Sequence, residues 1–115
     1  MVADRLREVM LRAERVGELV GPEVRSGSAE HPVCGDRVVL SVRREGDRIA
    51  EVRWRASGCP ASMAVAALAA PVLVDVPAAD AGPTLRAAIL EHGGLQAHER
   101  HAEAMVMRAL AAAGI

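Results

Sequence analysis

Aromatic side chains are nearly absent from this chain: its 115 residues include one tryptophan, Trp54, and neither phenylalanine nor tyrosine. Because 51% of the residues are nonetheless hydrophobic, the core must be built from aliphatic side chains and many alanines, which favours close-packed helices. Large organic cofactors usually bind between aromatic walls, so the composition disfavours one. The length suits one hydrophobic core, and we predict a single domain over residues 1–115.

Lysine is absent as well, and the arginines are spread along a chain whose net charge is −1. The chain therefore has no basic stripe of the kind that binds nucleic acid. No apolar run is long enough to cross a bilayer, and the charged, periodic N-terminus does not resemble a signal peptide. We expect a cytoplasmic protein that contacts neither nucleic acid nor membrane. In that compartment cysteines are more often thiols or metal ligands than disulfides.

Hydrophobic periodicity in the first half predicts one helix followed by strands. An amphipathic pattern over residues 3–20 indicates a helix ending near Gly21. A connector follows, with a short edge strand around Glu23–Ser28. Strict alternation over 38–43 and 50–56 then indicates two antiparallel strands joined by a turn, which is a β-hairpin.

The second half is predicted to be helical. Residues 61–74 are almost entirely apolar, which is typical of a buried helix, and Pro71 predicts a kink or an end near it. Thr84 is expected to cap a short helix over 85–91. A final helix is predicted over 97–113. The whole pattern indicates an α+β fold.

Both cysteines lie in turns. Cys34 belongs to the turn Val-Cys-Gly-Asp, so that the Asp36 carboxylate comes two residues after the thiol. Cys59 follows the hairpin at the entrance to a helix, where unsatisfied N–H groups favour an anionic ligand atom. Two thiolates, a carboxylate and a histidine could supply the four ligands of a tetrahedral zinc site or of a small iron–sulfur cluster.

Structural explanations compete with each of these ligand roles. Free cysteines are commonly buried as small hydrophobic residues, and Asp36 could cap its own turn. His31 could reach the site or could be an ordinary loop residue. His92 and His98 are expected at the surface.

The chain resembles the IscU/NifU-type iron–sulfur cluster assembly scaffolds from Pro32 to Leu110. The family carries a Pro-x-Cys-Gly-Asp turn, a Gly-Cys turn opening a small-residue helix, and a third cysteine, often after a histidine, at the start of the C-terminal helix. The matching motifs here are His-Pro-Val-Cys-Gly-Asp-Arg at 31–37 and Gly-Cys-Pro-Ala-Ser-Met at 58–63. The resemblance implies a three-stranded antiparallel sheet packed against about four helices.

The resemblance also implies a set of site residues, which are Cys34, Asp36, Cys59 and His101, with Zn²⁺ or a [2Fe-2S] cluster as the bound group. Ala102 stands where the third cysteine of the family belongs. That cysteine is implied to take part in accepting sulfur from a cysteine desulfurase and in holding the cluster. The segment 95–100 also lacks the Leu-Pro-Pro-Val-Lys chaperone-docking motif of the IscU branch.

Three functions are compatible with this pattern. The first is a scaffold-like, non-enzymatic protein that binds zinc or a [2Fe-2S] cluster, takes part in cluster assembly or transfer, and has a cysteine desulfurase and other assembly proteins as partners. The second is a degenerate paralogue that binds a desulfurase or a scaffold and regulates it. The third is a zinc-dependent sulfur acceptor that uses Cys34 or Cys59. Catalytic residues are not assigned, and both a monomer and a homodimer are left open.

Overall fold

The computed structural model describes residues 2–33 and 35–115. The strands form one antiparallel sheet in the order β1-β2-β3, which confirms the predicted α+β fold with three strands and four helices. In chain order the elements are α1 (Asp4–Arg12), β1 (Val24–Glu30), β2 (Arg37–Glu45), β3 (Arg48–Ser57), α2 (Pro60–Val72), α3 (Ala81–Glu91) and α4 (Arg100–Ala112), with short 3₁₀ turns at Ala78–Asp80 and Ala97–Glu99. None of these helices is long and apolar enough to span a bilayer.

The β2–β3 hairpin carries the inner face of the sheet. Val38, Leu40 and Val42 of β2 are buried beneath the helices. The alternation predicted for β3 fails at its start, where Ile49 is fully buried and Ala50 is not. The register shifts between the pairs that involve Arg43 and Arg44. Because such a bulge inserts one extra residue, it reverses the direction in which the following side chains point.

Helix α1 is shorter than its periodicity predicted, ending after nine residues instead of continuing to Gly21. The following segment pairs with the exposed edge of β3. Trp54 N–H donates to the carbonyl of Arg15 (3.2 Å), and its own carbonyl accepts from Gly17 N–H (2.8 Å). The indole N–H of Trp54 donates to the carbonyl of Glu14 (2.8 Å). These long-range hydrogen bonds outweigh the local helical preference of the segment.

The two helices after the hairpin differ at their ends from what the sequence predicted. Helix α2 ends at Val72, directly after Pro71, as expected. Helix α3 begins at Ala81, four residues earlier than predicted, so Thr84 is not its cap. Pro83 fits within the first turn, where backbone N–H groups have no partner within the helix.

Helix α4 lies against β1 at unusually short range. Gly27 of β1 is buried, and a Cβ built on it would overlap the carbonyl oxygen of Ala109 and crowd the backbone of Ala113. Ala109 itself is fully buried. Only a residue without a side chain allows the helix backbone to approach the strand this closely.

Replacing Gly27 with alanine should therefore destabilise the protein. The added methyl group meets backbone atoms that cannot rotate away, so we expect a loss of about 1–3 kcal/mol in the free energy of unfolding. Urea denaturation followed by circular dichroism measures it. Ser28→Ala, at the exposed neighbouring position of β1, is the matched control and should change the stability by less than about 0.5 kcal/mol. Equal stabilities for the two variants would contradict the close contact.

Candidate metal centre

The structure brings three of the four predicted site residues together. Asp36 immediately precedes β2, Cys59 is the N-cap residue of α2, and His101 lies in the first turn of α4. One ligand atom from each falls within 4.8 Å of the others. Cys59 Sγ is 3.5 Å from His101 Nε2, which is 3.3 Å from Asp36 Oδ2. Cys34, the fourth predicted residue, lies outside the described residues.

The hairpin and a tight bend position the Asp36 carboxylate. Only 2% of the residue is exposed, and Oδ1 accepts a hydrogen bond of 3.0 Å from the Cys59 backbone N–H. Gly58 makes the bend with a φ of +103°, and a Cβ there would overlap Asp36 Oδ1. The sequence motif pointed to Gly58 only as part of a turn; the structure shows that it makes room for the carboxylate.

The charged form of Asp36 is favoured in this environment. Burial by itself raises the pKa of the carboxyl group. Three opposing contacts lower it: the hydrogen bond from the Cys59 backbone, the Cys59 side chain and the His101 ring. Together they outweigh the effect of burial and hold the pKa of Asp36 below its ordinary value. A buried carboxylate is therefore kept available as a ligand.

The imidazole of His101 is oriented by its own helix. Nδ1 lies 3.1 Å from the carbonyl oxygen of His98. Because a carbonyl can only accept, Nδ1 carries the proton of that hydrogen bond, and Nε2, which faces Asp36 and Cys59, is the ring nitrogen that could bind a metal. Metal-binding histidines are commonly fixed in this way.

The other histidines occupy different environments. The ring of His31 contacts that of His101 edge to face, with centroids 4.9 Å apart, so His31 lies beside the site. His98 is exposed, as predicted. His92 is half-buried rather than solvated, and its Nδ1 lies 2.8 Å from the carbonyl of Ala88 at the end of α3.

Two further residues of the site were not found by sequence reasoning. Ser62 is fully buried, and its Oγ lies 3.4 Å from Asp36 Oδ2 and 3.8 Å from Cys59 Sγ. Met105 Sδ lies 3.7 Å from the same hydroxyl. The spacing of Ser62 three residues after Cys59 places both on one side of a helical turn, and that spacing was the available signal.

The donor set fits a tetrahedral metal ion. A Zn–S bond of about 2.3 Å and Zn–N or Zn–O bonds of about 2.0–2.2 Å place neighbouring tetrahedral ligand atoms about 3.3–3.7 Å apart. The two measured separations, 3.5 Å from sulfur to nitrogen and 3.3 Å from nitrogen to oxygen, agree with that geometry. Mixed sulfur, nitrogen and oxygen ligands suit Zn²⁺ or iron better than Mg²⁺ or Ca²⁺.

A largely apolar cavity of about 650 Å³ opens onto this centre. It lies between α1, the start of α2 and the turn before α4. The lining residues are Val2, Arg7, Met10, Cys59, Pro60, Ala61, His98, Glu99 and His101. Two of the three convergent ligand residues therefore form part of its wall, whereas Asp36 is not part of it.

A family model and a known protein both match the sequence of this chain, and both are described as NifU-like or NifU. The family model described as the NifU-like N terminal domain matches residues 4–115. The bifunctional protein NifU/MnmA of Rubrobacter xylanophilus is 41% identical over 61 residues, which are 52% of this chain. That match spans only 12% of the length of the Rubrobacter protein.

Two solved structures share the fold. The N-terminal part of a nitrogen-fixing NifU-like protein from Brucella abortus superposes with a TM-score of 0.71 at 16% identity, covering 95% of this chain and 88% of that one. A putative iron–sulfur cluster assembly scaffold protein for the SUF system from Fervidobacterium islandicum gives a TM-score of 0.64 at 16% identity, covering 96% and 87%. At this identity the likeness establishes the fold.

The bend at Gly58 supplies a test of the local geometry. Gly46→Ala places alanine at a positive φ in open space and should cost about 1–2 kcal/mol of stability. Gly58→Ala should cost that amount and, because it displaces the carboxylate from the Cys59 N–H, about 1.5–3 kcal/mol more. Urea denaturation of both variants in a metal chelator measures the difference. Equal losses would show that the carboxylate does not depend on Gly58.

Proposed function

This chain belongs to the family of NifU-like N-terminal domains, and on that premise we propose that it acts as an iron–sulfur cluster assembly scaffold. It binds Zn²⁺ or a [2Fe-2S] cluster through Cys34, Asp36, Cys59 and His101, and the cluster is its cargo. The observation that carries the proposal is the convergence of three ligand atoms within 4.8 Å, from residues that belong to three separate elements.

Each ligand has a separate role in this proposal. Cys59 supplies the soft thiolate that zinc and iron both prefer, and Cys34, two residues before Asp36, supplies the second. His101 adds an oriented imidazole lone pair. The carboxylate of Asp36 is the hardest of the four donors, and it is the ligand we expect to exchange most readily when the metal or cluster leaves.

The rest of the proposal follows from a scaffold role. Residues 1–115 form one domain, sulfur is received from a cysteine desulfurase, and the assembled cluster passes to other assembly proteins in the cytoplasm. The protein is not an enzyme, because the cluster is held and transferred rather than turned over. The open side at the cavity gives partners access to Cys59.

Metal analysis of freshly isolated protein, and of protein reconstituted anaerobically with iron and sulfide, tests the assignment. We expect about one equivalent of zinc, or the visible spectrum of one [2Fe-2S] cluster per site. Cys59→Ser and His101→Ala should reduce occupancy at least about tenfold, since each removes one of four ligands. His98→Ala is the matched control and should retain the metal. Occupancy well below one equivalent under every condition would refute the proposal.

Ala102 favours a second candidate function. It is fully buried and offers no ligand atom at the position of the third family cysteine. A paralogue without that cysteine could bind a desulfurase or a scaffold and regulate it without holding a cluster.

The two candidate functions differ in whether partner binding needs the cysteines. For the scaffold, we expect desulfurase affinity or sulfur transfer to fall when Cys34 and Cys59 are both replaced by serine, because the partner then meets no thiolate and no metal. Co-purification and intact mass after incubation with a desulfurase and cysteine measure the two effects. An interaction that survives the double replacement unchanged favours the regulatory paralogue.

A further inference from the structure

The hydroxyl of Ser62 lies between the chemical groups of the metal centre without being one of the proposed ligands. Its oxygen is within 3.4 Å of Asp36 Oδ2, 3.8 Å of Cys59 Sγ and 3.7 Å of Met105 Sδ. The residue is 0% exposed, and its backbone is fixed in the first turn of α2. Rotation of its O–H bond is therefore the main freedom that this side chain retains.

The Ser62 hydroxyl has one proton, which it can donate to one of these three neighbours at a time. A serine hydroxyl donates one hydrogen bond and accepts others, whereas a carboxylate and a thioether only accept. In the metal-free protein Ser62 O–H therefore donates to Asp36 Oδ2, while the Cys59 sulfur lies within reach of the same hydroxyl.

Metal binding changes both contacts of the hydroxyl. Cysteine binds a metal as the thiolate, with its proton released to the surrounding water or buffer, and a thiolate can only accept hydrogen bonds. If the hydroxyl kept its direction, the Ser62 oxygen and the anionic sulfur would face each other as two electron-rich atoms. At the same time the bound cation partly neutralises the Asp36 carboxylate, which weakens the hydrogen bond that the carboxylate accepts from Ser62.

We propose that Ser62 is a positioning residue whose hydroxyl turns from Asp36 to Cys59 when the centre is loaded, and then donates a hydrogen bond to the metal-bound sulfur. The inference rests on the proposed function, since it requires a metal ion or cluster bound to Cys59. In the loaded state the hydrogen bond draws electron density from the sulfur and fixes its direction toward the metal. Hydrogen bonds of this kind tune both affinity and electronic properties.

Cobalt(II) provides the probe, because a thiolate bound to Co²⁺ gives a sulfur-to-metal charge-transfer band. Removing a hydrogen bond from the sulfur raises the energy of its lone pair and moves that band to longer wavelength. We expect Ser62→Ala to bind Co²⁺ with unchanged stoichiometry, a red-shifted band and about tenfold weaker affinity. Ser62→Thr keeps a hydroxyl and should restore the wavelength.

Ser41→Ala is the matched control. Ser41 is also buried, and its hydroxyl finds no hydrogen-bond partner among the residues the structure describes. It lies five positions along the strand from Asp36, about 16 Å away at the usual rise per residue. Its band and affinity should equal those of the unmodified protein. Thermal unfolding of each metal-free variant separates a loss of folding from a change at the centre.

The Co²⁺ measurements distinguish a failure of this inference from a failure of the proposed function. Suppose that the unmodified protein shows the thiolate-to-Co²⁺ band. If Ser62→Ala then has the same band wavelength and the same Co²⁺ affinity, the inference is overturned and the proposed function stands. No thiolate band in the unmodified protein would overturn the proposed function and, with it, the inference. If Ser62→Thr does not fold because its extra methyl group cannot be accommodated, Ser62→Ala compared with Ser41→Ala still decides the question.

Discussion

The hydrogen bond from the Cys59 backbone to the Asp36 carboxylate is the interaction on which the centre depends. Asp36 comes just before β2 and Gly58 just after β3, and the pairing of Arg37 with Ser57 brings the two ends of the hairpin together. The carboxylate satisfies an N–H at the start of α2 that has no partner within the helix. With one oxygen held in this way, the other is directed at His101. A single contact thus joins the sheet, the first turn of α2 and the site.

The position of His101 is set from the opposite end of its helix. Helix α4 lies against β1 where Gly27 meets the backbone of Ala109, eight residues beyond His101. At the rise of an α-helix that separation is about 12 Å. Because a helix is rigid over this length, the contact between Gly27 and Ala109 helps to fix the position of His101 at the start of α4. These small residues therefore affect the centre although they do not touch it. Helix α2, with its fully buried alanines, also packs against α4.

Local patterns in the sequence were sufficient for the hairpin, and the hairpin was sufficient to pair Asp36 with Cys59. His101 was reached only through family resemblance, because periodicity places it at the start of a helix without saying which strand that helix meets. Ser62 was overlooked because a serine in an alanine-rich helix looks like part of the core. The length of α1 was wrong for a related reason: the hydrogen bonds that end it come from Trp54, about forty residues away in sequence, and no local pattern encodes them.

The number of cysteines limits the kind of metal site that this chain can form. The chain has two cysteines, and Ala102 removes the site at which the family places a third. An all-thiolate site of the closed structural kind would need four, so any ion or cluster bound here depends on oxygen and nitrogen donors as well. Those donors are held by the protein itself, Asp36 by a backbone N–H and His101 by a backbone carbonyl, rather than by the metal. The side chains of Asp36 and His101 are therefore held in place without a metal ion, so that binding one would require little rearrangement of these two residues.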